Sequence, residues 1–210
     1  PAAAVENIKA NAKFDVARIN EIEKTTDHDI IAFLTNLEEN VGEDSKYIHK
    51  GLTSSDVKDT AYCVMMRDAA AIILGDLRAF REVLRRRAEE FRHTPCIGRT
   101  HGIHAEPMTF GLKLLLWSAE IERDIERLTR AKEIVSVGKL SGAVGTYSNI
   151  DPRIEELTCK KLGITPVRLA TQVIQRDRHA EFVTTLAIIA GTMEKIATEI
   201  RNLQRTDIRE

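Results

Sequence analysis

The side chains best suited to chemistry are six histidines, and they cluster between the long apolar repeats. His28 lies in TTDHDI, His49 in IHKGLTSSD, His93, His101 and His104 in HTPCIGRTHGIHAEP, and His179 in QRDRHAEF. An imidazole titrates near neutral pH and can hold a proton or give it up. A single histidine is most often structural, but several beside hydroxyl-rich loops carry more weight. His101 and His104 form an H-x-x-H pair, which raises metal binding. Zinc sites usually space such a pair i, i+4 on a helix or add Cys or carboxylate ligands. Here Pro95 and Pro107 bound a loop whose only nearby carboxylate is Glu106, so a metal is disfavoured.

The run Gly51–Asp56, GLTSSD, has two readings. Thr53 or Ser54 can cap a helix that begins near Asp56, with an acid favoured in the first turn. The same free N–H groups and hydroxyls make a receptor for a carboxylate or phosphate. In GKLSGAVGTYSN, Gly138, Gly142 and Gly145 are spaced four and three apart. That fits neither a dinucleotide fingerprint nor a P-loop, and it suits a loop where backbone approaches backbone or ligand. His179 and the run Arg85, Arg86 and Arg87 are expected on solvated helix faces, with no wider basic or aromatic pattern for nucleic acid.

The elements that must carry these groups show in the spacing of apolar residues. Phe182, Leu186, Ile189, Met193, Ile196, Ile200 and Leu203 follow one another at 4, 3, 4, 3, 4, 3, a single helical stripe. Met66, Ala70, Ile73, Leu77, Phe80 and Leu84 repeat the pattern, with Phe91 a heptad further on. Phe110, Leu114, Trp117, Ile121 and Leu128 keep the register, with Asp124 at one seam position. Three rods of roughly 25–30 residues, each about 40 Å long, predict an all-α long antiparallel bundle that shares its core with other subunits. Upstream, Asp15 could cap a short helix through Ile22, and Asp29 another through Leu37. No strand-like alternation stands out, and 42–56, 93–109, 136–152 and 163–178 read as loops. Residues 1–58 are taken as the end of an N-terminal helical domain and 59–210 as the central bundle.

Composition narrows the function. Basic and acidic side chains number 31 and 32, a formal net charge of −1, which argues against a polyanion-binding surface. The chain is 43% hydrophobic and 30% charged, neither disordered nor membrane-embedded in character, and no apolar stretch nears the ~18 residues of a span. Cys63, Cys96 and Cys159 are an odd, widely spaced set, so no disulfide framework is expected. With no secretory pattern at the start, a cytoplasmic, reducing setting is expected. Pro1 in place of methionine, and EIRNLQRTDIRE without a Gly or Pro stop, predict a segment of a longer protein.

Taken in order, HKGLTSSDVKDTA, GRTHGIHAEPMTFG, GKLSGAVGTYSNIDP and TQVIQRDRHAEF resemble the adenylosuccinate lyase family of the fumarase, aspartase and argininosuccinate lyase superfamily. The likeness spans essentially the whole chain. The G-R-T-H-x-x-H-A-E-P form sets this branch apart from relatives with G-R-T-H-L-Q or G-Y-T-H-L-Q. The resemblance implies a homotetramer with active sites shared between subunits and no metal or organic cofactor. It implies β-elimination of fumarate from adenylosuccinate, giving AMP, and from the succinyl-carboxamide ribotide of purine synthesis. It makes His101 the general acid that protonates the departing nitrogen, and Thr53 and Ser54 the hydroxyl pair for the succinyl carboxylates. Thr100 is expected to touch the same group, His28 and Asp29 to serve the nucleotide end, Gln172 to bind substrate, and His49 to orient phosphate. Two departures stand out. Asp27 occupies a place where relatives often carry Arg, and the loop S-S-x-M-P-x-K-x-N-P, whose serine is the family's base, is not among these residues. The alternatives are a related fumarate-releasing lyase and a helical assembly module without activity of its own.

Overall fold

The computed structural model describes residues 1–210. In chain order the helices are α1 (Ala2–Asn11), α2 (Val16–Thr26), α3 (Asp29–Val41), α4 (Ser54–Glu90), α5 (Phe110–Val135), α6 (Pro152–Leu162) and α7 (Asp177–Leu203). A 3-10 turn covers Gly42–Tyr47. Strands β1 (Pro95–Thr100) and β2 (Ile103–Thr109) pair antiparallel, and the two-residue strands β3 (Val137–Gly138) and β4 (Thr165–Pro166) pair with each other. Two compact units emerge. The first comprises Pro1–Thr60, Gly138–Lys161 and Pro166–Ile174; the second comprises Ala61–Val137, Leu162–Thr165 and Gln175–Glu210.

The second unit is built on the apolar seams. Leu77, Leu84, Leu114, Trp117, Ile121, Leu128, Phe182, Ile189 and Ile196 are all buried in one cluster, with Met66, Ile73, Phe80, Leu186 and Met193 packed against it. Each fully buried Leu, Ile or Phe is worth about 1.5–3 kcal/mol, so these stripes dominate the unit's stability. Polar contacts fix the direction of packing. Arg178 donates to the Ile134 carbonyl at 2.9 Å near one end of α5, and Lys113 pairs with Glu199 at the other, so α5 and α7 run antiparallel. The Phe91–Phe110 ring contact and the Arg81–Glu122 pair make α4 and α5 antiparallel too. The expected long antiparallel bundle is present. Helix α4, at 37 residues, is about 55 Å long and exceeds the expected rod. Ile200, placed on the seam by its spacing, is 44% exposed. Asp124 is fully buried there, one oxygen receiving Arg127 at 2.9 Å and the other without a partner. His179, expected on a solvated face, is half-buried, with its Nδ1 buried and unpartnered.

The segment 93–109, expected as loop, is the β1–β2 hairpin. Its strands lack the apolar alternation that marks a half-buried sheet because both faces are largely exposed. Register comes instead from the ladder, which pairs Pro95 with Thr109 and Thr100 with Ile103 and shifts by a residue between Gly98 and Arg99. The connecting turn is the dipeptide His101-Gly102, with φ of 55° and 75°. A two-residue hairpin with both central φ values positive is the I′ type, whose twist matches that of the strands. Where the hairpin feeds α5, a Cβ on Gly111 would lie 2.4 Å from the Ala88 carbonyl oxygen.

In the first unit, Asp15 caps α2 as expected, accepting from Ala17 N at 2.8 Å and Arg18 N at 3.3 Å, and the helix continues past Ile22 to Thr26. The cap of α3 is His28 rather than Asp29. The His28 ring accepts from Ile31 N at 3.4 Å, and Asp29 is the first helical residue, where its charge suits the helix start. Asp27 ends α2 in the left-handed region, its own N–H bonded to Glu23 O at 2.9 Å. The glycine-rich segment packs backbone on backbone. A Cβ on Gly145 would meet the Ala170 carbonyl at 2.1 Å, and one on Gly51 would meet the Asn149 carbonyl at 2.3 Å. Tyr147 donates its hydroxyl to Glu155 at 2.8 Å. Partial burial first, and then that hydrogen bond, push its phenol up to about 12.

Two outcomes are expected. Gly111→Ala forces a methyl group onto backbone that cannot yield and lowers stability by about 1–3 kcal/mol in urea unfolding, whereas Gly75→Ala, with open space around it, costs nothing comparable. Because the Tyr147 phenol sits above its unfolded value of about 10, its contribution is complete below that pH and is lost as pH rises through about 12. Spectrophotometric titration should show a tyrosine component near 12 that Tyr147→Phe removes.

Candidate active site

Two groups of polar residues stand out, one in each unit. In the first unit, the cap of α3 meets the start of α4. With Nδ1 of His28 accepting the Ile31 N–H, the neutral ring carries its proton on Nε2, which faces the Ser54 hydroxyl at 3.4 Å. Asp29 Oδ1 lies 3.3 Å from the same Nδ1, placed to receive the proton of a charged ring. Lys58, one turn into α4, donates to both Asp29 oxygens at 3.0 and 3.3 Å. Partial burial works against ionising Asp29, but the bonds from Lys58 and the Ile30 N–H outweigh it and hold the carboxyl below its ordinary range. The result is a chain of groups, His28 and Asp29 exposed and Ser54 and Lys58 half-buried, that can donate to an anion or trade a proton.

Thr53 and Ser54 sit at the N-terminus of α4, where free N–H groups favour negative charge. The capping of this helix is done by Asp56. Its Oδ2 accepts from the Thr53 N–H at 2.9 Å, while the Asp56 N–H goes to the Thr53 carbonyl at 3.0 Å. This is half of a capping box, the acid reaching back to the cap's N–H. The other half, in which the Thr53 hydroxyl would take the Asp56 N–H, is not made because that N–H goes to the Thr53 carbonyl, so the capping and receptor readings of GLTSSD are compatible. Gln172 is exposed on the loop that Ala170 presses against Gly145 and that Ile174 N ties to Asp59 at 2.7 Å. His49, half-buried with Nε2 unpartnered, lines a surface cavity of about 440 Å³ together with Thr35, Glu38, Ser45, Lys46 and Lys50.

In the second unit, Thr100 ends β1 and His101 opens the I′ turn, both exposed. Histidine is among the few non-glycine residues enriched at positive φ, so the position suits it. His101 thus stands at the tip of a two-stranded ribbon. The ribbon is held near its tip by Arg99, which pairs with both oxygens of Glu210 at 3.0 and 3.1 Å, and at mid-strand by Ile97 N, which donates to Glu210 at 3.3 Å. His104 follows on β2, paired with Arg99, and no three His, Cys, Asp or Glu side chains converge as a metal-ligand group.

Of the residues singled out in the sequence, His28, Asp29, Thr53, Ser54, His49 and Gln172 belong to the first unit, with His28 in contact with both Asp29 and Ser54; Thr100 and His101 belong to the second. Sequence reasoning misses Lys58, Asp56 and Lys139. The signal for Asp56 is its place three residues after Thr53, the spacing of a capping box. The signal for Lys139 is a lone charge in a run of small and apolar residues, which burial obliges to find a partner.

Known proteins place this geometry in a family. The model described as Lyase matches residues 1–210. Adenylosuccinate lyase from Synechocystis sp. is 54% identical, and that from Bacillus subtilis 50%, each over 210 residues that make up 100% of this chain and 49% of the relative. The chain therefore spans about half the length of the curated relatives it matches. Among solved structures, a fumarate lyase from Mesorhizobium sp. BNC1 is similar with a TM-score of 0.91 and 30% identity over 99% of this chain and 50% of that one. The 3-carboxy-cis,cis-muconate lactonizing enzyme from Pseudomonas putida gives a TM-score of 0.92 and 28% identity over 100% and 50%. With the family pattern matched from first residue to last, this chain belongs to the lyase family.

Proposed function

We propose that the protein containing this chain is an adenylosuccinate lyase, cleaving adenylosuccinate to AMP and fumarate and releasing fumarate from the succinyl-carboxamide ribotide of purine synthesis. The carrying observation is the identity of 50–54% with proteins of that name along all 210 residues. The fold does not select the substrate, because structural neighbours with titles as different as fumarate lyase and a lactonizing enzyme share it. What supports this substrate is the G-R-T-H-x-x-H-A-E-P form, by which the resemblance sets the adenylosuccinate branch apart.

In this reading a base, which the family resemblance places outside these residues, removes the proton next to a succinyl carboxylate. The electron pair forms the new C=C bond, and the C–N bond breaks. His101 gives its proton to the departing purine nitrogen, so the products are neutralised in place. Charge that builds on the carboxylate as an aci-carboxylate is met by the Thr53 and Ser54 hydroxyls and by the N–H groups that open α4. Thr100 supports the same group, Gln172 binds substrate, His28 and Asp29 serve the nucleotide end, and His49 orients phosphate, with Lys46 and Lys50 supplying positive charge along the same cavity. No metal or organic cofactor is assigned a part, and nucleic acid is not a partner. Assembly to a cytoplasmic homotetramer with active sites shared between subunits completes the reading. Its support on this chain is apolar surface left open on the long helices, with Leu112, Leu115 and Leu116 on α5 and Val183 and Ile188 on α7 each at least half exposed.

The acid is tested in the full-length protein with His101→Asn, since Asn tolerates the left-handed turn but cannot act as an imidazolium. Turnover of adenylosuccinate is expected to fall by roughly 10²–10⁴ with the oligomer intact on size-exclusion chromatography; near-normal turnover would refute the assignment. Ser54→Ala, removing one hydrogen bond to a charged group, is expected to lower kcat/KM about 10–100-fold. Activity on argininosuccinate, malate or aspartate with adenylosuccinate inert would favour a related lyase instead.

A further inference from the structure

Lys139 is the largest fully buried side chain of the molecule, and nothing in the proposed reaction uses it. Its ammonium group donates to Asp56 Oδ1 and, at 2.8 Å, to the Gly142 carbonyl. Asp56 is equally inaccessible, with no side-chain surface exposed. Its two oxygens accept four donors. Oδ1 takes Lys139 Nζ and, at 3.2 Å, the Ser141 N–H; Oδ2 takes the Gly142 N–H at 3.2 Å and the Thr53 N–H at 2.9 Å. A carboxylate has about four lone-pair sites, so this one is filled. The backbone of Lys139 is itself fastened to α4, its N–H donating to the Thr60 hydroxyl at 3.0 Å and its carbonyl accepting from that hydroxyl at 3.1 Å. The next residue, Leu140, donates its N–H to Glu155 at 2.6 Å.

We propose that Lys139 is a positioning residue that, through Asp56, sets the Thr53–Ser54 turn as a preformed receptor for a substrate carboxylate. The inference rests on the reading that Thr53 and Ser54 meet that carboxylate. Asp56 is a negative charge two residues from Ser54, and without its counter-charge it would oppose an incoming anion. Lys139 cancels that charge from behind, on the buried side. At the same time it holds the carboxylate against the Thr53 N–H, which fixes the backbone of the turn in the form where the Asp56 N–H goes to the Thr53 carbonyl and the Thr53 hydroxyl is left for the ligand. One buried ammonium thus serves both the electrostatics and the geometry of the turn.

The test uses the full-length protein with two variants, Lys139→Met and the double variant Lys139→Met/Asp56→Asn. Steady-state kinetics on adenylosuccinate, the fumarate dissociation constant by calorimetry, and Tm are measured for each. Lys139→Met leaves a buried carboxylate uncompensated and should lower Tm; the double variant removes both charges and should recover most of it. Asn offers one acceptor oxygen where three backbone N–H groups converge, so it cannot restore the turn. KM and the fumarate dissociation constant are expected to rise together, on the order of 10–100-fold, in both variants. The proposal is overturned if either folded variant binds fumarate as the parent does, or if affinity returns with Tm in the double variant, which is the behaviour of a purely structural pair. A parent protein that binds fumarate but leaves adenylosuccinate intact would refute the lyase reading, while its calorimetry still decides the part played by Lys139. A parent that does neither overturns both.

Discussion

A charge taken out of water is tolerated only when every one of its hydrogen-bonding positions is met, and the first unit is organised around one that meets this condition. Desolvating an ammonium and a carboxylate costs several kcal/mol each even after relaxation, and their attraction offsets this only with near-complete pairing. Asp56 accepts from one ammonium and three backbone N–H groups, which belong to two separate stretches of chain, 53 and 139–142. The loop that follows β3 is therefore tied to the first turn of α4 at several points. Glu155 adds a second tie from α6, taking Leu140 N–H on one oxygen and the Tyr147 hydroxyl on the other. Such networks contribute specificity of arrangement more than net stability.

The second unit follows a different logic. Its helices adhere through interlocking apolar stripes, where affinity is non-directional, and ion pairs such as Lys113–Glu199 and Lys195–Glu120 flank the seam. The two kinds of construction suit two duties. Apolar seams make long stiff rods that can carry a short ribbon at one end; a saturated polar network holds loops whose exposed side chains must keep set positions.

Periodicity is the part of this fold that the sequence displays openly. Heptads from Met66, Phe110 and Phe182 mark α4, α5 and α7 because each helix buries one stripe and the burial demands a regular spacing. The β1–β2 ribbon is not legible that way, since its strands bury neither face and leave no alternation; only the His-Gly pair betrays it, through the rarity of residues that accept two positive φ values in succession. The choice of His28 over Asp29 as the cap of α3 is equally hidden, because either side chain can accept an N–H and the decision falls to neighbours such as Lys58, distant by 29 positions. Candidate site residues are visible as motifs, and local spacing hints at Asp56 and Lys139 one by one, but that these two pair across 83 positions escapes any local reading.

Where Gly51 faces Asn149 and Gly145 faces Ala170, the loops approach to the thickness of a bare peptide. Their mutual spacing is thus decided by main-chain dimensions. A larger residue at Gly51 or Gly145 would therefore have to push the loops apart rather than reshape the surface they present.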